Sequence, residues 1–222
     1  MSLPELVSKH PLRQALVAAM AQLVPNAEAS VHDALLSYID LLQRWNGTYN
    51  LTAVRDPKDM LTQHVVDCLA VVAPLQRHLG AQHARVLDVG SGGGLPGVIV
   101  AMLNRQWAVT CVDTVGKKAA FIRQAALELR LSNVTAQHVR VESLSTAPFD
   151  VITARAFSSL ADLVALTRQH LMPGGVWAAM KGKAPDEEIA ALPGDIDVFH
   201  VEQLQVPGLA AQRCLVWMKP IA

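Results

Sequence analysis

The chain of 222 residues carries 19 basic and 19 acidic side chains, and 51% of its residues are hydrophobic. This composition excludes a largely disordered chain and an overall basic field, so a nucleic-acid partner would have to meet a local patch. Three scattered cysteines without a C-x-x-C pair, and histidines without an H-E-x-x-H run, argue against a disulfide framework and leave no metal site to expect.

The N-terminus mixes Glu5, Lys9, His10 and Arg13 with apolar residues and has no signal-peptide core. No apolar run reaches the roughly 18 residues of a membrane span, so a soluble cytoplasmic protein is expected. Residues 1–75 read as a helical extension packed on a sheet, and residues 76–222 as the separate α/β domain that contains this sheet. Ser30 is read as an N-cap, with Val31, Ala34, Leu35, Tyr38, Leu42 and Trp45 at three- and four-residue spacing until Gly47 ends the pattern. Asp56-Pro57 is a cap followed by proline at the first helical position, and its helix is expected to run through His64 and Asp67 to about Ala73. The intervening Trp45–Thr52 reads as a linking loop.

From Arg85 the pattern alternates between strand and helix. Strands are expected at Arg85–Val89, Ala108–Val112, Val134–His138, Val151–Ala154 and Val176–Met180, with helices at Gly97–Leu103, Lys117–Leu129 and Leu160–Leu171. Such alternation gives right-handed βαβ units and a mainly parallel sheet. Asp197–Gln205 and Cys214–Met218, joined through Pro207-Gly208 without a helix, should pair antiparallel and bring the sheet to seven strands. A parallel sheet closed by an antiparallel strand is the outline of the Rossmann-like class I methyltransferases that depend on S-adenosylmethionine (SAM).

The stretch Arg85-Val-Leu-Asp-Val-Gly-Ser-Gly-Gly-Gly-Leu-Pro-Gly97 runs from strand through glycine loop into helix. A loop without Cβ atoms admits a ligand close to the backbone, and the helix start offers free N–H groups. Gly92, Gly94 and Gly97 fit the dinucleotide pattern G-x-G-x-x-G, which by itself is a weak signal. Gly90, Gly92 and Gly94 also fit G-x-G-x-G behind the acid Asp88, the arrangement of SAM enzymes, with Ser91 inside the loop. Asp113 follows Gly94 by nineteen residues, close to the spacing of about 20 for an acid that grips ribose hydroxyls.

Ligands of open α/β sheets lie outside the carboxyl ends of the strands. The other residues there are Val141 and Glu142, placed for an adenine, Arg155, and Lys181. Lys117, Lys118 and Arg123 at the start of a helix, with Lys181, form the candidate RNA phosphate patch. The Asn/Asp-Pro-Pro-aromatic motif of exocyclic-amine methylation is absent after the fourth strand, where Ala154-Arg-Ala-Phe157 stands instead. Cysteine-assisted methylation at pyrimidine C5 needs an activated thiolate, and Cys68, Cys111 and Cys214 all fall in expected helices or strands. A ring nitrogen such as guanine N7 needs neither device, since its lone pair is already free.

These motifs, with Asn50-Leu-Thr52, His64-Val-Val-Asp67, Asp113-x-x-x-Lys117-Lys118-x-x-Phe121 and Arg140-Val-Glu142, resemble the small-subunit ribosomal RNA methyltransferase G family, also called glucose-inhibited division protein B. The likeness runs collinearly over about residues 30–183, and Gly-Leu-Pro-Gly with Arg-Ala-Phe makes it specific. It implies a bacterial enzyme that uses SAM to methylate guanosine N7 in 16S rRNA, acting on that RNA or the small ribosomal subunit, with no obligate protein partner evident. It also implies that Gly90, Leu95, Val141, Glu142 and Arg155 bind the cofactor, Asp113 its ribose, and that Arg155 lies nearest the reaction centre. Cys68 stands where the family often has serine, and the role of the His64/Asp67 segment stays open. Two other readings are weighed: an RNA-binding or assembly factor without activity, and a nicotinamide-dependent oxidoreductase lacking the Tyr-x-x-x-Lys pair.

Overall fold

The computed structural model describes residues 9–80 and 83–221. Seven strands form one sheet: β1 (Arg85–Val89), β2 (Ala108–Asp113), β3 (Val134–His138), β4 (Phe149–Arg155), β5 (Leu171–Lys181), β6 (Ile196–Leu204) and β7 (Arg213–Pro220). Their order is β3-β2-β1-β4-β5-β7-β6. Strands β1 to β5 pair in parallel, while β7 runs antiparallel to both β5 and β6. The chain leaves β1 toward β2 on one side and returns with β4 on the other, so the order reverses at the carboxyl end of β1, where the glycine loop begins. Open α/β sheets bind ligands at such a point.

The helices in chain order are α1 (Arg13–Leu23), α2 (Ala29–Tyr49), α3 (Pro57–Met60), α4 (Asp67–Leu69), α5 (Val72–Leu79), α6 (Gly97–Leu103), α7 (Gly116–Glu128), α8 (Leu160–Thr167) and α9 (Asp186–Ala190). Strand alternation divides the core between the two sheet faces. Val86, Val109, Cys111, Val151 and Trp217 share one cluster with Leu16, Leu35, Ile39 and Val65 of the N-terminal helices; Leu87, Val89, Ile152, Trp177 and Val216 share the other with Leu160 and Leu163 of α8. The helices before Gly80 are thus continuous in their packing with one face of the sheet.

Several boundaries differ from expectation. Helix α2 begins at Ala29 with Glu28 at the cap position, and Ser30, one residue inside, turns its hydroxyl to the Glu28 carboxylate. The same helix runs through Gly47 to Tyr49, so more than half of the expected linking loop is helical. It stops where Asn50 takes a left-handed conformation, φ 50°, a role asparagine fills when glycine does not. The tertiary contact of Trp45 with Phe121, with the i,i+4 pairing of Trp45 and Tyr49 inside the helix, offsets the helix penalty of Gly47, about 1 kcal/mol.

Asp56 does cap its helix, its carboxylate accepting the Lys58 N–H at 2.7 Å. Past Met60, however, the helix widens to a π-helical turn over Leu61–Val66 and breaks before α5. Such a turn re-aims side chains within a helix and is frequent at functional sites. The expected helix Leu160–Leu171 ends at Thr167, passes through a 3₁₀ turn at Arg168–His170, and gives Leu171 to β5.

Candidate active site

The glycine loop is held from three sides. The Gly90 and Ser91 N–H groups donate to the Val112 carbonyl at 2.8 and 3.1 Å, closing the loop on the end of β2. The Ser91 hydroxyl donates to the Asp88 carbonyl at 2.8 Å. Above it, the Tyr38 hydroxyl of α2 donates to the Gly93 carbonyl at 2.6 Å. Tyr38 is fully buried, and its position in an apolar stripe concealed this contact from sequence reasoning.

Asp113 sits at the end of β2 and is 5% exposed. One carboxylate oxygen accepts the Gly92 N–H at 2.9 Å and the other the Val115 N–H at 2.8 Å, while the Lys118 ammonium stands 3.9 Å away. The acid and the loop are therefore one unit, and each oxygen keeps a lone-pair direction for a hydroxyl. The backbone at position 92 is left-handed, φ 58°, which favours glycine, and a Cβ there would meet no atom within 4 Å. The space beside it is open.

Asp88 is fully buried beneath the loop. Its Oδ2 accepts the Gly97 N–H at 2.9 Å, pinning the start of α6, and its Oδ1 has no partner among the described residues. Burial pushes its pKa up to about 7, against the opposing effect of the Gly97 N–H. Asp88, expected to bind cofactor, thus supports the loop from below. Gly97 belongs to packing rather than to a phosphate loop, since a Cβ there would lie 2.6 Å from the Cys111 sulfur and 2.8 Å from Asp88 Oδ2. Gly97→Ala is expected to destabilise the fold by about 1–3 kcal/mol through overpacking. A urea midpoint equal to the parent's would show that α6 shifts freely.

The remaining candidates fall on the same sheet rim or are committed elsewhere. Val141 and Glu142 lie in a short 3₁₀ turn after β3, where the Val141 carbonyl accepts from His170 at 2.7 Å and Glu142 is exposed. Leu95 is buried. Lys117 is exposed at the start of α7, and Arg123 is exposed with its guanidinium on the Ala136 carbonyl at 3.3 Å. Lys181, expected to meet RNA phosphate, has an 11% exposed side chain and is clasped by both Glu188 carboxylate oxygens, at 2.9 and 2.7 Å. Glu188 also accepts the Leu160 N–H at 2.8 Å, so this pair fastens α8 to α9.

Arg155, at the end of β4, is where the N-terminal segment enters the site. Its Nη1 donates to the Gln63 carbonyl at 3.0 Å and faces Asp67 Oδ2 at 3.3 Å, with His64 Nδ1 at 3.5 Å. His64 Nε2 meets the Thr52 hydroxyl at 2.8 Å. Burial and the Arg155 charge both lower the His64 pKa, so the ring is neutral near pH 7 and its Nδ1 is free to accept. The π-helical turn and the start of α4 bring Gln63, His64 and Asp67 to this one guanidinium. Ala156 follows with φ 57° and swings Phe157 over the loop, 3.7 Å from where a Gly90 Cβ would be.

A seven-stranded sheet with one reversed strand, a glycine loop at its switch point and an acid clasping that loop define the Rossmann-like methyltransferase class. Solved structures with this fold include a 1,6-didemethyltoxoflavin-N1-methyltransferase of Burkholderia thailandensis, with TM-score 0.57, 19% identity and coverage of 84% of this chain and 90% of that one. A SAM-dependent methyltransferase of Aquifex aeolicus has TM-score 0.54 and 18% identity, covering 84% and 98%. The chain belongs to the rRNA small subunit methyltransferase G family, whose model matches residues 31–216. Relatives named ribosomal RNA small subunit methyltransferase G are 65% identical over 188 residues in Leptothrix cholodnii, covering 85% of this chain and 86% of the relative, and 52% identical over 229 residues in Verminephrobacter eiseniae, covering 95% of each. The chain is accordingly a methyltransferase, and the oxidoreductase and inactive-factor readings fall away.

Proposed function

We propose that this enzyme transfers the methyl group of SAM to N7 of a guanosine in 16S rRNA, on the RNA or within the small ribosomal subunit, in the cytoplasm. The observation that carries the reading is the union of Asp113 with the Gly92 N–H at 2.9 Å beside open space at the loop. This cradle fits a nucleoside whose ribose meets Asp113 and whose amino-acid end lies along Gly90–Gly94. Val141 and Glu142 would border the adenine, and Arg155 would stand at the methyl-donating end.

When bound, SAM supplies an electrophilic methyl on a sulfonium, which the N7 lone pair attacks as the carbon–sulfur bond breaks and sulfur keeps the electron pair. No proton leaves N7, so the protein needs no general base. Its work is to hold two reactants in line and keep water from between them. Arg155 is held on one side by Gln63, His64 and Asp67, and its Nε and Nη2 have no hydrogen-bond partner among the described residues. They are the donors available for orienting the reactants. The alternative covalent route has no nucleophile: Cys68, Cys111 and Cys214 are all buried, and burial raises each thiol pKa. Exposed Lys117, with Lys118 and Arg123, supports contact with RNA phosphate.

Incubating the protein with labelled SAM and small subunits lacking the modification should place label at guanine N7, with Arg155→Lys slowing transfer at least about tenfold because an ammonium cannot reproduce the planar fork. Label on another atom, or none, would refute the assignment. No helix among the described residues is long and apolar enough to cross a membrane.

A further inference from the structure

Asp67 holds a second arginine. Its Oδ1 accepts from Arg213 Nε at 2.8 Å, while its Oδ2 faces Arg155 Nη1 at 3.3 Å. Arg213 opens β7, two residues before Leu215, which pairs with Met180; Met180 in turn pairs with Arg155 on the adjoining strand. Arg155 and Arg213 therefore project on the same sheet face, with Asp67 placed between them from the start of α4.

The charges do not balance. Two guanidinium groups face one carboxylate, and neutral His64 contributes none. Arg213 spends Nε on Asp67 and Nη1 on the neighbouring Gln212 carbonyl, and Nη2 of either arginine has no hydrogen-bond partner among the described residues. The two side chains are 25% and 23% exposed, whereas that of Asp67 is 3% exposed. A buried anion thus fixes two partly exposed cations with one positive charge in excess and with donors left over. A second oxyanion completes such a cluster, and paired planar forks suit a phosphate.

Position decides which oxyanion. Arg213 lies on β7, three strands from β1 and its glycine loop, a lateral distance of about 14 Å at sheet spacing. The cofactor's carboxylate belongs beside the loop. We infer that Arg213 and Arg155, bridged by Asp67, form a seat for one phosphodiester of the RNA substrate beside the target base, with Arg213 its principal donor and Asp67 the positioning residue. The inference rests on the rRNA reading above. It gives the N-terminal segment a substrate-binding purpose, since Asp67 is the only carboxylate among the described residues that either arginine touches.

The test uses the full chain, unmodified small subunits and labelled SAM at several potassium chloride concentrations, with S-adenosylhomocysteine binding measured separately by calorimetry. Arg213→Gln should raise KM for the subunit about tenfold with kcat within about twofold, and lower the slope of log KM against log salt by about 0.7–0.9, the value of one phosphate contact. S-adenosylhomocysteine affinity should not change. Arg213→Lys should restore the salt slope, because the charge returns, but only part of the KM, because one ammonium cannot serve Asp67 and phosphate together. A loss of S-adenosylhomocysteine affinity with an unchanged salt slope would assign the seat to the cofactor carboxylate and overturn the proposal, as would parent-like kinetics in both variants. Failure of the parent protein to methylate the subunit would instead remove the rRNA reading, and the seat with it.

Discussion

Gly92→Asp is expected to weaken S-adenosylhomocysteine binding by at least about 100-fold, near 2.7 kcal/mol, while leaving the thermal midpoint within about 4 °C of the parent. The two halves of this expectation have separate causes. Position 92 has φ 58°, a region aspartate visits more readily than most residues, and no atom lies within 4 Å of the added Cβ. The fold therefore accommodates the side chain at a backbone cost of about 1 kcal/mol. The ligand does not, because the new carboxylate occupies the approach to the loop and stands next to Asp113, whose Oδ2 already holds the Gly92 N–H at 2.9 Å. Two like charges at that spacing repel each other and displace the ribose hydroxyls. Parent-like affinity by titration calorimetry would remove this loop as the cofactor site. A large drop in midpoint would show that the loop braces the fold instead.

The pH dependence of stability offers a second large effect, centred on Asp88. Burial raises its pKa from the ordinary carboxylate value of 3.8 to about 7 in the folded protein. The folded state thus binds the proton more tightly than the unfolded state does. Stability from this group is greatest below about pH 4, falls as pH rises through the window from 4 to 7, and is flat above it. A shift of this size corresponds to a few kcal/mol, on the order of 4 at most. Asp88→Asn keeps an acceptor for the Gly97 N–H but cannot ionise. Its urea midpoint should lie close to the parent's at pH 4 and rise above it by pH 8, the gap between the two opening across the window. Identical pH curves for the parent and the Asn variant would show that Asp88 keeps its ordinary carboxylate pKa in the fold.

Much of the sheet was legible because its strands obey local rules. Val86, Leu87 and Val89 are buried on both faces of a central strand, which writes a short apolar run into the chain. The boundaries of β1, β3 and α6 coincide with the expected ones, and each ends at a glycine, a polar turn or a change of pattern. The loop residues Gly90, Gly92 and Gly94, with Asp113, were legible for a similar reason: backbone conformation and spacing along one chain segment define them. Where expectation and structure part, a distant contact decides. Gly47 sits inside α2 because Trp45 packs on Phe121, more than seventy residues away. Lys181 is a clamp rather than a free cation because Glu188 folds back onto it.

What the sequence by itself determined is the glycine-loop half of the candidate site, since the loop and its acid arise within one βαβ unit whose geometry follows from residue type and right-handed connection. What only the tertiary structure decided is the half built around Arg155. His64 belongs to a π-helical turn, Asp67 to the short helix α4 that continues it and Arg213 to a reversed strand, and these approach β4 solely because the sheet order and the packing of the N-terminal helices place them there. No periodicity encodes a contact between residues 67 and 213; a charge excess shared by three side chains exists only once the chain has folded.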